Sequence, residues 1–298
     1  PAARAEVVHD LMRGHEVELL QPLLDFVSAK NSVRLLGPAQ AEGRAPTVAL
    51  ALQGPAEPAA AKLAGDGIMA GGSDFVRLGW QGCVAVDMLI KALHETRPYE
   101  AHPGDTDRVY QKHLELVSKT IEKRGDLMAA MTTAQREFAA VPKNNGHRRP
   151  VVGIVGEIYT RLNRFSNENV VRAIEELGGE AWMAGFCEWV LYSNFIALQK
   201  AKMTRNLGAV KNLWIENFFQ QKDEHNLGKP WHGFLKTLEE PKTSDVMKMA
   251  HPYLHPHFEG EAILSVGKSR DMMQRGASGV VNVIPFTCMP GNIVNAIM

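Results

Sequence analysis

Apolar residues recur at helical spacing through residues 1–30: Val7, Val8, Leu11 and Met12, then Leu19, Leu20, Leu23, Leu24 and Val27. Gly14 and Pro22 interrupt the stripe, which predicts two helices or one kinked helix. Val33–Leu36 and Pro46–Leu52 read as short strands joined by a Gly- and Pro-rich loop. An Ala-rich helix at 58–64 and a strand-like 67–70 follow. The order α-β-β-α-β makes a small α+β layer. After Gly71, Gly72 and Ser73 the pattern changes. Residues 76–95 form a strongly apolar helix that ends before Pro98, and 105–124 and 126–140 are amphipathic helices. Residues 141–150 are a polar, basic linker carrying Lys143, His147, Arg148 and Arg149.

Val151–Val155 is a continuous β-branched run, suited to a strand buried on both faces of a parallel sheet. Residues 168–177 are its following helix, stopped by Gly178 and Gly179, and 180–184 the next strand. This β-loop-α-β order predicts a doubly wound unit. Residues 186–226 read as mostly helical, 259–275 as a further helix, 279–284 as a β-branched strand, and a short helix follows Pro290. The predicted organisation is a small α+β segment at 1–74, a helical connecting region at 75–150, and an α/β domain at 151–298.

Composition changes this picture little. The chain has 298 residues, 45% hydrophobic and 22% charged, as in a globular protein. Lys plus Arg equals Asp plus Glu at 33 each, so no net field draws nucleic acid or an anionic membrane, and little repulsion opposes association with another subunit. No apolar run reaches the roughly 18 residues of a membrane span. Residues 1–6 lack the basic-then-apolar order of a signal peptide, although the chain begins at Pro1 rather than Met. The expected location is cytoplasmic.

Cys83, Cys187 and Cys288 are odd in number and widely spread, with no C-x-x-C pair, so they do not read as a disulfide framework. A metal site would be assembled from distant parts of the fold or from two chains. His251, His255 and His257 are separated by prolines that break any common helical face, and they suit a solvated loop as well as a metal. Glu157, Arg161 and Asn163 follow a strand end in a Gly-bearing loop, where an anion or substrate carboxylate or phosphate is placed, or where Arg161 makes a structural ion pair. Lys200, Lys202 and Arg205 read as a solvated helix face.

Two stretches resemble known families. Residues 13–24, 33–38, 44–50 and 67–72 resemble the C-terminal small domain of class V, PLP-dependent aminotransferases of the cysteine-desulfurase-like group. The Schiff-base lysine and the acidic partner of the pyridinium lie in a large domain that this stretch does not include, so PLP binding is not expected. Residues 80–89, 95–104, 153–163, 165–167, 188–192, 260–268 and 285–291 resemble, in the same order, the 2-hydroxyacyl-CoA dehydratase and CoA-substrate-specific activase-related proteins. The two resemblances meet near residues 72–76, as in a fusion of partial domains.

The second resemblance implies a flavodoxin-like, doubly wound fold holding an iron–sulfur cluster of the 4Fe–4S type on cysteine ligands. It implies an ATP-dependent activase as electron donor, and low-potential electron transfer or radical dehydration of an acyl-CoA substrate. Cys288 is the foremost candidate ligand. It follows a buried strand and precedes a helix, Pro285 and Pro290 stiffen its turn, and Gly291 allows close backbone approach. Cys187, near the end of another predicted strand, is the second candidate; a buried structural cysteine is the alternative at both. Cys83 sits on an apolar helical face and reads as core. Three cysteines fall short of four thiolates, which leaves a partner chain, a non-cysteine ligand or an unfilled site as the alternatives. The contrasting expectation is a catalytically inactive scaffold with no cofactor, and a more distant one is a remnant PLP enzyme.

Overall fold

The computed structural model describes residues 72–298 apart from 145, 146, 239 and 257. Of the segment before them it describes residues 17, 21, 22, 24, 25, 28, 29, 33–36, 39–41 and 49–52. The chain divides into two units, Pro1–Ser73 and Asp74–Met298.

In the first unit residues 17, 21, 22, 24, 25 and 28 are helical, and Leu24 is fully buried. Strands β1 (Val33–Leu36) and β2 (Ala49–Leu52) pair antiparallel, with Val33 opposite Leu52. Gln21 ties the helical segment to the chain beyond β1: its Oε1 accepts from the Ala41 N–H at 2.8 Å and its Nε2 donates to the Ala39 carbonyl at 3.2 Å. The helix expected at 58–64 and the strand at 67–70 lie outside the described residues.

The second unit takes in both the 75–150 and the 151–298 regions. Helix α1 (Gly72–Thr96) is long because its apolar residues never leave register: Trp80, Val84, Met88 and Leu89, Ala92, Leu93 are all buried. Pro98 ends it in a 3₁₀ turn, Arg97–Tyr99. The Glu100 carboxylate then accepts from the N–H groups of Gly104 and Thr106, starting α2 (Asp105–Glu122). Asp126 caps α3 (Leu127–Ala140), accepting from Ala129 N–H at 3.0 Å. These helices enclose a core around Phe138 and Trp231, whose ring centroids are 6.0 Å apart.

β3 (Val151–Gly156), β4 (Glu180–Met183) and β5 (Gly279–Val283) form a three-stranded parallel sheet in the order β4-β3-β5. Alternation along the strands sends Val155 and Trp182 to one face, against Met272 of α9 (Glu261–Gln274), and Ile154, Ala181 and Met183 to the other, against Ile174 of α5 (Val170–Glu176). Between them lie α4 (Ile158–Leu162), α6 (Phe186–Met203), α7 (Leu207–Gly228) and α8 (Thr243–Ala250), with α10 (Met289–Ile297) after β5. The second unit is thus mixed α/β, mostly helical, around a small parallel sheet. No helix among the described residues is long and apolar enough to cross a membrane.

Candidate functional site

The carboxyl edge of the sheet carries the residues that sequence singled out. β3 ends at Gly156 with φ +121°, and the next residue, Glu157, donates its N–H to the Val283 carbonyl of β5 at 2.9 Å. The Glu157 carboxylate turns back to accept from Tyr159 N–H, Thr160 N–H and Thr160 Oγ1, capping α4. Burial raises its pKa, but the hydrogen bonds from Thr160 and Tyr159 outweigh that and hold it below the ordinary carboxylate range. Asn163 is likewise a local builder: its Oδ1 accepts from Phe165 and Ser166 N–H, and its Nδ2 donates to Tyr159 Oη at 2.9 Å.

Arg161 differs. It is 3% exposed, donates to the Gly185 carbonyl at 3.1 Å and the Gly156 carbonyl at 3.4 Å, and leaves its Nε buried without a partner. It lines a cavity of about 80 Å³ together with His94, Arg97, Arg164, Asn167 and Arg172. Arg97 is paired there, its guanidinium forked on Glu175 at 2.8 Å and reaching Asp107 at 2.9 Å; Arg172 also reaches Asp107. Burial would lower the Arg97 pKa, but Glu175 and Asp107 more than offset it, so it stays cationic.

His94 feels this field. Burial, and then Arg97, Arg164 and Arg172, push its imidazole down to about 3. The folded protein therefore holds His94 neutral, whereas the unfolded chain takes up a proton below about pH 6.5; stability is full above that pH and falls as the pH drops toward 3. Between about pH 6.5 and 4.5 the expected loss is roughly 2 to 3 kcal/mol. Urea midpoints across that range measure it, and His94→Gln flattens the limb. An unchanged slope in His94→Gln would assign it to another group.

Sequence reading missed His94 because it took residues 76–95 as a strongly apolar helix, and it gave Arg97, just beyond, no role in a site. A signal was present: Asp87, Lys91, His94 and Glu95 fall one to two turns apart on one helical face, and all four are buried. Each is used. Asp87 accepts the N–H groups of Phe186 at 3.1 Å and Cys187 at 2.8 Å, capping α6 from another helix. Gly185 is needed for that approach, since a Cβ there would lie 2.7 Å from the Asp87 Oδ2. Glu95 accepts from the backbone N–H groups of Lys236 and Thr237. Lys91 donates to Glu240 at 2.6 Å, within a buried charged layer that also holds Lys268, Asp271 and Glu188.

The cysteines occupy different environments. Cys187 lies in the first turn of α6, beyond the end of β4, and is buried in the helical core; burial and the adjacent Asp87 push its thiol far above the ordinary range. Cys83, half-buried against the same core, is pushed up by burial and by Asp87 as well. Cys288 is half-buried at the head of α10, in the turn after β5. Phe286 and Met289, beside it, are 97% and 70% exposed. The edge strands β4 and β5 have β3 between them, so Cys187 and Cys288 stand on opposite sides of the sheet. No group of three or more His, Cys, Asp or Glu gathers to hold a metal among the described residues. His251 and His255 sit in turns with ring centroids 6.2 Å apart; His257 lies outside the described residues.

No family model matches the chain, and neither a curated protein nor a solved structure matches it.

Proposed function

We propose that residues 74–298 act as an iron–sulfur component akin to the 2-hydroxyacyl-CoA dehydratase and activase-related proteins, contributing one cysteine to a 4Fe–4S-type cluster. The observation that carries this reading is the placement of Cys288: a half-buried thiol at the carboxyl end of a parallel strand and the head of a helix, flanked by exposed Phe286 and Met289. The strand order β4-β3-β5, with helices on both faces, supports the doubly wound, flavodoxin-like assignment.

The donor set does not fit a cluster held by this chain alone. Cys187 is buried in the helical core and Cys83 half-buried against it, and burial and Asp87 push both thiols up, which disfavours the thiolate that ligation requires. The remaining ligands then belong to another chain, with an ATP-dependent activase as electron donor and an acyl-CoA as substrate. Iron and acid-labile sulfide, measured after anaerobic reconstitution, test this. Iron is expected to bind, to be lost in Cys288→Ala and to be kept in Cys187→Ala. Full iron in Cys288→Ala would end the assignment.

A second reading, a scaffold without cofactor, is favoured by the Cys187–Asp87 interlock, which spends a cysteine on structure. Absence of iron from every anaerobic preparation selects it.

A further inference from the structure

The geometry points to a binding site for a phosphate-sized oxyanion in the cleft between α1, α2 and the α4–α5 turn, held by Arg161 and Arg164 and walled by His94. It does not rest on the iron–sulfur reading, since none of the three cysteines lines this cavity.

Four guanidinium groups face the cleft, those of Arg97, Arg161, Arg164 and Arg172, and no Asp or Glu lines it. Two of the four are answered from behind: Arg97 by Glu175 and Asp107, Arg172 by Asp107 and, at 3.7 Å, by Glu175. The other two are not. Arg164 stands exposed at the rim with no carboxylate partner among the described residues. Arg161 is buried and hydrogen-bonds only the carbonyls of Gly156 and Gly185; the carboxylates of Glu157, Glu188 and Glu261 lie near enough to interact with its charge, but none is hydrogen-bonded to it. Its Nε is a buried donor without an acceptor, an arrangement that costs free energy unless something else accepts the bond.

The chemistry of a ligand for this cleft follows from its lining. It is anionic, because the lining holds an excess of positive charge and no carboxylate. It presents several oxygens, because guanidinium groups donate in pairs to planar or tetrahedral oxyanions. It is small, because a cavity of about 80 Å³ holds two or three waters or one tetrahedral ion. Ile90, Leu93, Leu162 and Met183 complete the wall and strengthen each charge interaction by excluding water.

The ion is either free phosphate or the terminal phosphoryl group of a larger molecule whose remainder stays outside. Isothermal titration of the full chain with inorganic phosphate, against chloride at equal ionic strength, is the test. Saturable binding is expected in wild type, weakened about tenfold or more in Arg164→Gln, where a charge-assisted hydrogen bond is lost at an exposed and structurally undemanding position. Arg136→Gln, an exposed arginine outside the cleft, should change nothing. Arg161→Gln should abolish binding; Arg164→Gln keeps the test valid should that buried change unfold the chain. Phenyl phosphate separates the sources: binding as tight as inorganic phosphate identifies a phosphoryl group on a larger molecule, and binding of inorganic phosphate alone identifies the free ion. Phosphate bound no better than chloride, or bound equally by Arg164→Gln, overturns the site.

Discussion

Lys268→Met is expected to cost the second unit about 3 to 5 kcal/mol, the range for removing one partner from a buried ion cluster. Lys268 is fully buried on α9, and its ammonium sits against Glu240, 3.4 Å from Asp271 and 3.7 Å from Glu188. Burial alone would drive it neutral, but Glu240 and Glu188 outweigh burial and keep it charged. Burial would likewise raise Glu240, and Lys268 and Lys91 more than reverse that. Methionine matches the length of the lysine stem but leaves those carboxylates in low dielectric, with Lys91 still on Glu240 and Arg275 still on Asp271. Glu188→Gln is the matched contrast. Both Glu188 carboxylate oxygens lack hydrogen bonds and burial raises its pKa, so that change should cost under about 1 kcal/mol. Denaturant midpoints followed by tryptophan fluorescence compare the two. A Lys268→Met protein within about 1 kcal/mol of wild type would remove the cluster from any account of stability.

The second large effect belongs to Gly156→Ala, with an expected loss above about 3 kcal/mol or failure to fold. Its φ of +121° is disfavoured for any side chain, and a Cβ would lie 2.0 Å from the Val283 carbonyl oxygen and 2.7 Å from the Val283 nitrogen. Both clashing atoms are backbone of the neighbouring strand and cannot rotate away. The pairing of β3 with β5, the Glu157 bond to Val283 and one carbonyl that Arg161 grips all pass through this residue. Gly233→Ala isolates the conformational part: φ is +78° there and nothing lies within 4 Å, so only strain of about 1 to 2 kcal/mol is expected. Equal losses at the two positions, by thermal unfolding, would contradict the steric argument.

Much of the second unit was legible because its periodicities are uninterrupted. The β-branched runs of residues 151–155 and 279–284, and the apolar stripe of 76–95, are local signals that tertiary structure had no cause to override. The site was less legible. Arg161 announced itself by following a strand end, but Glu157 and Asn163, chosen on the same ground, spend their polar atoms on the turn itself. His94 and Arg97 come from the end of α1 and the turn that continues it, Arg172 comes from α5, and only packing brings the two stretches together. Cys187 and Cys288 were alike as cysteines near strand ends. What separates them is Asp87, a residue 100 positions upstream whose hydrogen bond to the α6 amide makes that corner a structural joint.

The strand order has a consequence for biosynthesis. β3 is the central strand, yet its second partner, β5, begins at Gly279. While the chain is being made, one edge of β3 stays unpaired from residue 156 until residue 279 emerges, on the order of ten seconds at ordinary elongation rates. Throughout that interval the nascent chain exposes the hydrogen-bonding edge of Val151, Gly153 and Val155. It is then that a chaperone, or another nascent chain, meets this protein at its most adhesive.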